Sequence, residues 1–157
     1  MDQTARILIV DDDENIRKVL VAILEDEGYN VESVGTAKEG MERTRKRFYN
    51  VALIDIRLPD MEGIELLTKI KDTTPNMRKI VITGYPTLQN AVDAVNRGAN
   101  AYILKPFDVE EVLSTIEEQL KKQEEEKKYS QDKVAEFIET RVKELEVEKE
   151  ITQKRTD

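Results

Sequence analysis

The sequence predicts a doubly wound α/β domain from Met1 to about Leu120, followed by a charged helical tail from Lys121 to Asp157. Three observations carry this reading. Short apolar runs rich in branched residues recur along the chain, segments with helical apolar spacing separate them, and polar residues able to do chemistry follow the runs directly. A chain of 157 residues has room for one ordinary domain and an appendage, and 39% hydrophobic residues can supply a core.

The first strand is expected at Ile7 to Val10, and the first helix carries Ile16, Val19, Leu20, Ile23 and Leu24 toward a C-cap at Gly28. Asn30 to Val34 is a weaker, more edge-like strand. Thr36 with Glu39 forms a capping box and opens a helix over Ala37 to Arg47. Val51 to Ile54 is the third strand, and Ile64, Leu66, Leu67 and Ile70 mark a third helix that Pro75 ends. Ile80 to Ile82 is the fourth strand, Leu88 to Val95 the fourth helix with Gly98 at its C-cap, and Ala101 to Leu104 the fifth strand. Asp108 with Glu111 imitates a capping box, and Val109, Val112, Leu113, Ile116 and Leu120 give the last helix an apolar face to dock on the sheet. Strands that read as continuous apolar runs are buried on both faces, and their alternation with helices predicts a parallel sheet.

The tail has a different composition. The chain is 37% charged, above the quarter or so usual for globular chains, and the excess lies beyond Leu120. Glu117 with Lys121, Glu118 with Lys122, Glu124 with Lys128 and Glu139 with Lys143 are favourable i,i+4 pairs. Val134, Phe137, Ile138, Val142 and Leu145 restore some apolar character, and Ile138, Val142 and Leu145 fit d, a and d positions of a short heptad seam. One long helix or two consecutive ones fit the pattern.

Composition excludes several functions. A net charge of −8 and a pI near 4.8 oppose direct nucleic-acid binding, which needs a basic face. The absence of Cys removes disulfides, thiolate nucleophiles and Cys-based metal sites, and the absence of His removes the commonest general base and any phosphohistidine on this chain. No apolar run is long enough for a membrane span, and Met1, Asp2 and Gln3 lack the pattern of a signal peptide, so a cytoplasmic location is expected.

In an open parallel sheet ligands bind beyond the carboxyl ends of the strands. Asp11, Asp12 and Asp13 follow the first strand, Asp55 the third, Thr83 and Gly84 the fourth, and Lys105 and Pro106 the fifth. Carboxylates converging on one rim repel one another unless a cation lies among them, and Mg2+ (or Mn2+) suits an all-oxygen donor set. Asp55 is then a candidate nucleophile that forms an aspartyl-phosphate, with Lys105 and the Thr83 hydroxyl holding the phosphoryl oxygens. Taken singly, each feature has a plainer reading: an acidic run after a strand caps a helix, a threonine closes a turn, and a lysine before proline sits in a solvated loop.

The stretches ILIVDDDENIR (Ile7 to Arg17), LIDIRLPDMEGIELL (Leu53 to Leu67), VITGYP (Val81 to Pro86) and AYILKPF (Ala101 to Phe107) resemble the receiver domains of two-component response regulators. The resemblance implies a flavodoxin-like sheet with strand order 2-1-3-4-5. It implies that Asp12 binds Mg2+ directly, Asp11 binds it through water, Asp55 is both ligand and phosphoacceptor, and the backbone carbonyl of Arg57 completes the protein's ligands. It assigns Thr83 to the phosphoryl group, Lys105 to an ion pair with it, Tyr102 to an aromatic rotamer switch, and a cis peptide to Pro106. Arg57 and Tyr85 occupy places that vary in the family and tune phosphate lifetime. The implied partners are a histidine kinase or histidine phosphotransfer protein, and a homodimer.

Two other functions compete. A phosphatase of the haloacid dehalogenase type also uses a strand-end Asp and Mg2+, but it needs a general acid two residues after the nucleophile, where this chain has Arg57. A structural dimerisation module leaves the clustered carboxylates unexplained. No DNA-binding helix-turn-helix, P-loop or cyclase segment follows the domain, so the sequence alone suggests either a relay or protein-binding regulator, or a fragment of a longer protein. The stretch from Val81 to Phe107 looks most like receivers that precede transcription-activating ATPase domains or serve as relay proteins.

Overall fold

The computed structural model describes residues 5–70, 73 and 76–156, with side chains as far as Lys154. The elements run β1 (Arg6–Val10), α1 (Glu14–Asp26), β2 (Asn30–Val34), α2 (Ala37–Lys46), β3 (Val51–Ile54), α3 (Gly63–Lys69), β4 (Arg78–Thr83), α4 (Leu88–Asn96), β5 (Ala101–Leu104) and α5 (Val109–Thr156). All strand pairings are parallel and the sheet order is β2-β1-β3-β4-β5, the doubly wound arrangement expected. Pro75, expected to end the third helix, lies outside the described residues; α3 closes at Lys69 with Ile70 as C-cap.

Strand alternation builds two cores. Leu8, Val10, Ala52, Ile54 and Val81 pack into a cluster with Ile64, Leu66 and Leu67 of α3 and Ala94 of α4. Ile7, Ile9, Val51, Leu53, Ile80 and Ile82 point the other way, into a cluster with Leu20 and Leu24 of α1 and Val112 and Ile116 of α5. Successive side chains of a strand face opposite sides of the sheet, so a strand covered on both faces must be apolar at every position, as β1 and β3 are. β2, an edge strand carrying Asn30, Glu32 and Ser33, buries only Val34, as expected of an edge.

Helix ends are set by local chemistry. Thr36 Oγ1 accepts from the Glu39 amide at 3.1 Å, Thr87 Oγ1 from the Asn90 amide at 3.0 Å, and Asp13 from the amides of Asn15 and Ile16. Gly28 and Gly98, following α1 and α4, have φ of 94° and 98°, values that disfavour any residue with a Cβ. α5 is one continuous helix of 48 residues. By contacts the chain separates into two units, Met1–Gln123 and Glu124–Asp157. In the first, Gln123 is buried and its amide donates to the carbonyls of Asn50 (3.0 Å) and Asn76 (2.7 Å). In the second, Lys143 pairs with Glu139 at 3.3 Å and Arg141 with Glu144 at 2.9 Å along the helix surface. Among the described residues no helix is long and apolar enough to cross a membrane.

Candidate phosphoacceptor site

The strand order places the carboxyl ends of β1, β3, β4 and β5 side by side, and each delivers one polar residue to the same rim: Asp11, Asp55, Thr83 and Lys105. Asp11 and Thr83 are fully buried and Asp55 is 5% exposed, while Asp12 is exposed. The Lys105 ammonium donates to Asp11 Oδ2 at 2.7 Å and to Asp55 Oδ2 at 3.2 Å. Carboxylate oxygens of Asp11, Asp12 and Asp55 all lie within 4.8 Å of one another.

The acidic run after β1 divides its work. Asp13 caps α1, as the plainer reading of the run had it, and its own amide donates to Asp11 Oδ1 at 2.9 Å. Asp11 is fixed further by Arg17, whose guanidinium donates to the Asp11 carbonyl at 2.7 Å. Asp11 and Asp12 remain as the pair facing Asp55.

Burial pushes the Asp55 carboxyl above its ordinary range; the Lys105 charge pulls it back and the Asp11 charge adds to the rise. Lys105 moves up as well: burial opposes its charge, but the Asp11 hydrogen bond and charge, then Asp55, outweigh burial and hold the ammonium protonated. Three carboxylates against one ammonium leave two negative charges in a mostly buried site. A hard divalent cation with oxygen ligands matches that charge and that donor set, so the residues fit Mg2+.

Thr83 Oγ1 accepts from the Tyr85 amide at 3.0 Å. β4 and β5 pair Val81 with Tyr102 and Thr83 with Leu104, which puts Thr83 and Tyr102 on one face of the sheet. The Tyr102 hydroxyl is buried with no hydrogen-bond partner among the described residues, and burial raises its pKa. The Lys105–Pro106 peptide is cis. The Arg57 amide donates to Asp55 Oδ1 at a long 3.4 Å, and its guanidinium lies 3.6 Å from the centroid of the Tyr85 ring, a cation–π contact between the loops after β3 and β4. Ile138, Val142 and Leu145 of the expected seam are exposed on α5 in the second unit.

Two residues that support the site escaped the sequence reading. Asp60, in the loop after β3, accepts from the amides of Ala37 and Lys38 at 2.9 Å each and so caps α2 from a distance. Gly63 opens α3 against the backbone of Asp55: a Cβ there would collide with the Asp55 carbonyl oxygen and come within 2.9 Å of Ile56 Cα. A glycine at the start of a helix was the one available signal for such a close approach. Asp60 lies within the stretch that carries the family resemblance, but no local pattern reveals its capping role, because its partners lie 22 and 23 residues away.

The family of response regulator receiver domains matches residues 7–117. The transcriptional regulatory protein ZraR of Escherichia coli O157:H7 is 35% identical over 114 residues, which are 73% of this chain and 26% of that protein. The chain thus spans about a quarter of that relative's length. Among solved structures, a CheY-like response regulator receiver domain protein from Methanospirillum hungatei JF-1 superposes with a TM-score of 0.76 at 50% identity, covering 78% of this chain and 98% of that one. A beryllofluoride-activated NtrC4 receiver domain, solved as a dimer, gives a TM-score of 0.71 at 37% identity over 75% of this chain and 98% of that one. With these matches and the site geometry together, the chain belongs to the response regulator receiver domain family, whose members are the switches of two-component signalling.

Proposed function

We propose that Asp55 accepts a phosphoryl group from the phosphohistidine of a histidine kinase or histidine phosphotransfer protein in the cytoplasm, and that the receiver, up to about Leu120, passes this state on through its surface. The observation that carries the reading is the Lys105 ammonium spanning Asp11 and Asp55, with Asp12 within reach of both. An Asp55 carboxylate oxygen forms the bond to phosphorus, the P–N bond breaks, and the departing imidazole keeps the electron pair and takes up a proton. Asp11, Asp12, Asp55 and the Arg57 carbonyl would hold Mg2+, which when bound neutralises charge as the anionic donor approaches. Lys105 then transfers its grip from a carboxylate oxygen to the phosphoryl oxygens.

Once Asp55 is phosphorylated, the Thr83 hydroxyl turns to the phosphoryl group, and Tyr102, with its hydroxyl unpaired, follows. Contacts available only in the phosphorylated state shift the population between two conformers. Water attack on the acyl phosphate, catalysed by the same site, returns the switch to rest. Output runs through dimerisation, through partner binding, or through a domain outside this segment. A haloacid-dehalogenase phosphatase is disfavoured because the position of its acid holds Arg57, whose guanidinium keeps its proton and is stacked on Tyr85.

Incubation with acetyl phosphate and Mg2+, followed by peptide mass spectrometry, tests the assignment. One phosphoryl group is expected on Asp55, dependent on the metal, and Asp55→Asn should be inert. Principal modification at another carboxylate would overturn it.

A further inference from the structure

In the unit Glu124–Asp157, Val134, Ile138, Val142 and Leu145 are all about half exposed or more, between 47% and 58%. They follow one another by steps of four, four and three, which places them on one face of the helix. The ion pairs of this segment, Lys133 with Glu136, Lys143 with Glu139 and Arg141 with Glu144, run along the flanks and back. With Ile138 and Leu145 at d and Val142 at a, the polar residues Gln131 and Lys149 bound the stripe at the preceding d and the following a.

We infer that this face is an interface for a second copy of the chain, in a parallel, in-register, two-stranded coiled coil. Charge at the flanking positions selects both occupant and direction. The g positions are Lys127, Val134, Arg141 and Glu148, and the e positions Asp132, Glu139, Glu146 and Gln153. In a parallel pair each g residue meets the e residue five positions on in the other helix. Lys127 then meets the partner's Asp132 and Arg141 meets the partner's Glu146, both attractive, while Val134 opposite the partner's Glu139 and Glu148 opposite the partner's Gln153 set no like charges together. An antiparallel pair brings e against e, where Asp132, Glu139 and Glu146 repel. Arg141 can turn to the partner because its hold on Glu144 is an exposed i,i+3 pair, a weak competitor. Val142 at a with Leu145 at d favours two strands, and Lys128 and Lys149, at the outer a positions, fix register at some cost in stability. With so short a stripe the association is weak and concentration-dependent. It stands independently of the phosphoacceptor reading.

The chain has no cysteine, so single cysteines report geometry cleanly. In the whole 157-residue chain, Ile138→Cys, Val142→Cys and Leu145→Cys should each form a disulfide with its own copy under mild oxidation, and Thr140→Cys, on the outer face, should not. An antiparallel pair can align at most one of the three with itself. In sedimentation equilibrium, Arg141→Glu should weaken self-association roughly tenfold, and Arg141→Glu combined with Glu146→Arg should restore it. Fewer than three self-coupled variants, coupling of Thr140→Cys as strong as theirs, a monomer at every concentration, or no recovery in the charge swap would each overturn the inference.

Discussion

Ile116 and Ile138 are the same residue in the same helix, yet Ile116 is fully buried and Ile138 is 55% exposed. Around Ile116, α5 is held by a tertiary core: Val112 and Ile116 pack with β1, β3 and β4 residues and with Leu20 and Leu24 of α1. Around Ile138 it is held by helix propensity and by flanking ion pairs such as Lys143 with Glu139. Identical backbone geometry therefore conceals two sources of stability, and only the first depends on the rest of the fold. Helices in folded proteins gain most of their stability from packing of an apolar face, and a charged exposed helix lacks that contribution.

The comparison is broken most severely at Ile116. Ile116→Ala leaves a cavity in a closed core and should cost about 2–5 kcal/mol in urea unfolding; a loss under about 1 kcal/mol would mean that the first part of α5 is no better anchored than the tail.

A smaller effect, with a pH signature, belongs to the edge of the sheet. Glu32 accepts from the Tyr49 hydroxyl at 2.6 Å and pairs with Arg43 at 2.7 Å and Arg47 at 3.4 Å. Burial disfavours the Glu32 carboxylate, but the Tyr49 hydrogen bond and the two arginines outweigh it and lower its pKa, while burial and Glu32 push the Tyr49 phenol up to about 12. Because the folded pKa of Glu32 lies below the unfolded one, its stabilisation is complete above the unfolded value and disappears as pH falls through the folded value. Glu32→Gln should therefore be less stable by about 1 kcal/mol at neutral pH, and chemical denaturation at a series of pH values should show the gap to the unmodified protein closing in acid. A gap that stayed constant with pH would remove the charge from the explanation.

At the small end, Ile138→Ala should leave the unfolding midpoint of the receiver within about 0.5 kcal/mol of the parent, measured at a protein concentration low enough to keep the chain monomeric. A penalty approaching that of Ile116→Ala would show that the tail apolar residues are core after all.

Much of the fold was legible because strands covered on both faces cannot hide polar residues. β1, β3 and β5 were found from apolar runs alone. β4 begins two residues earlier than its run, at Arg78, because strand membership follows hydrogen bonding and not hydropathy. Lys79 is buried there with its ammonium donating to the Leu67 carbonyl at 3.0 Å. The residues of the site were legible for a topological reason, since each sits at the carboxyl end of a strand and a parallel sheet collects those ends. What stayed hidden depends on approach between segments distant in sequence. Gly63 is required by the backbone of Asp55, Asp60 by the amides of α2, and the Arg57–Tyr85 stack by the meeting of two loops. No period or propensity encodes such contacts.

Asn50, Asn76 and Asn100 stand just before β3, β4 and β5, and their carbonyls accept from the side chains of Gln123, Gln123 and Gln119 at 3.0, 2.7 and 3.4 Å. These amide contacts tie one helix to three strand entrances, at the end of the sheet away from Asp55. In the time domain, helix amides as far as Gln123 should exchange their hydrogens only when the receiver opens, at a rate set by its global stability, whereas those beyond should exchange through local fraying. The break in protection would fall within one turn of Gln123, although α5 runs on without interruption there, and it would mark where the receiver ends more sharply than any boundary drawn from shape.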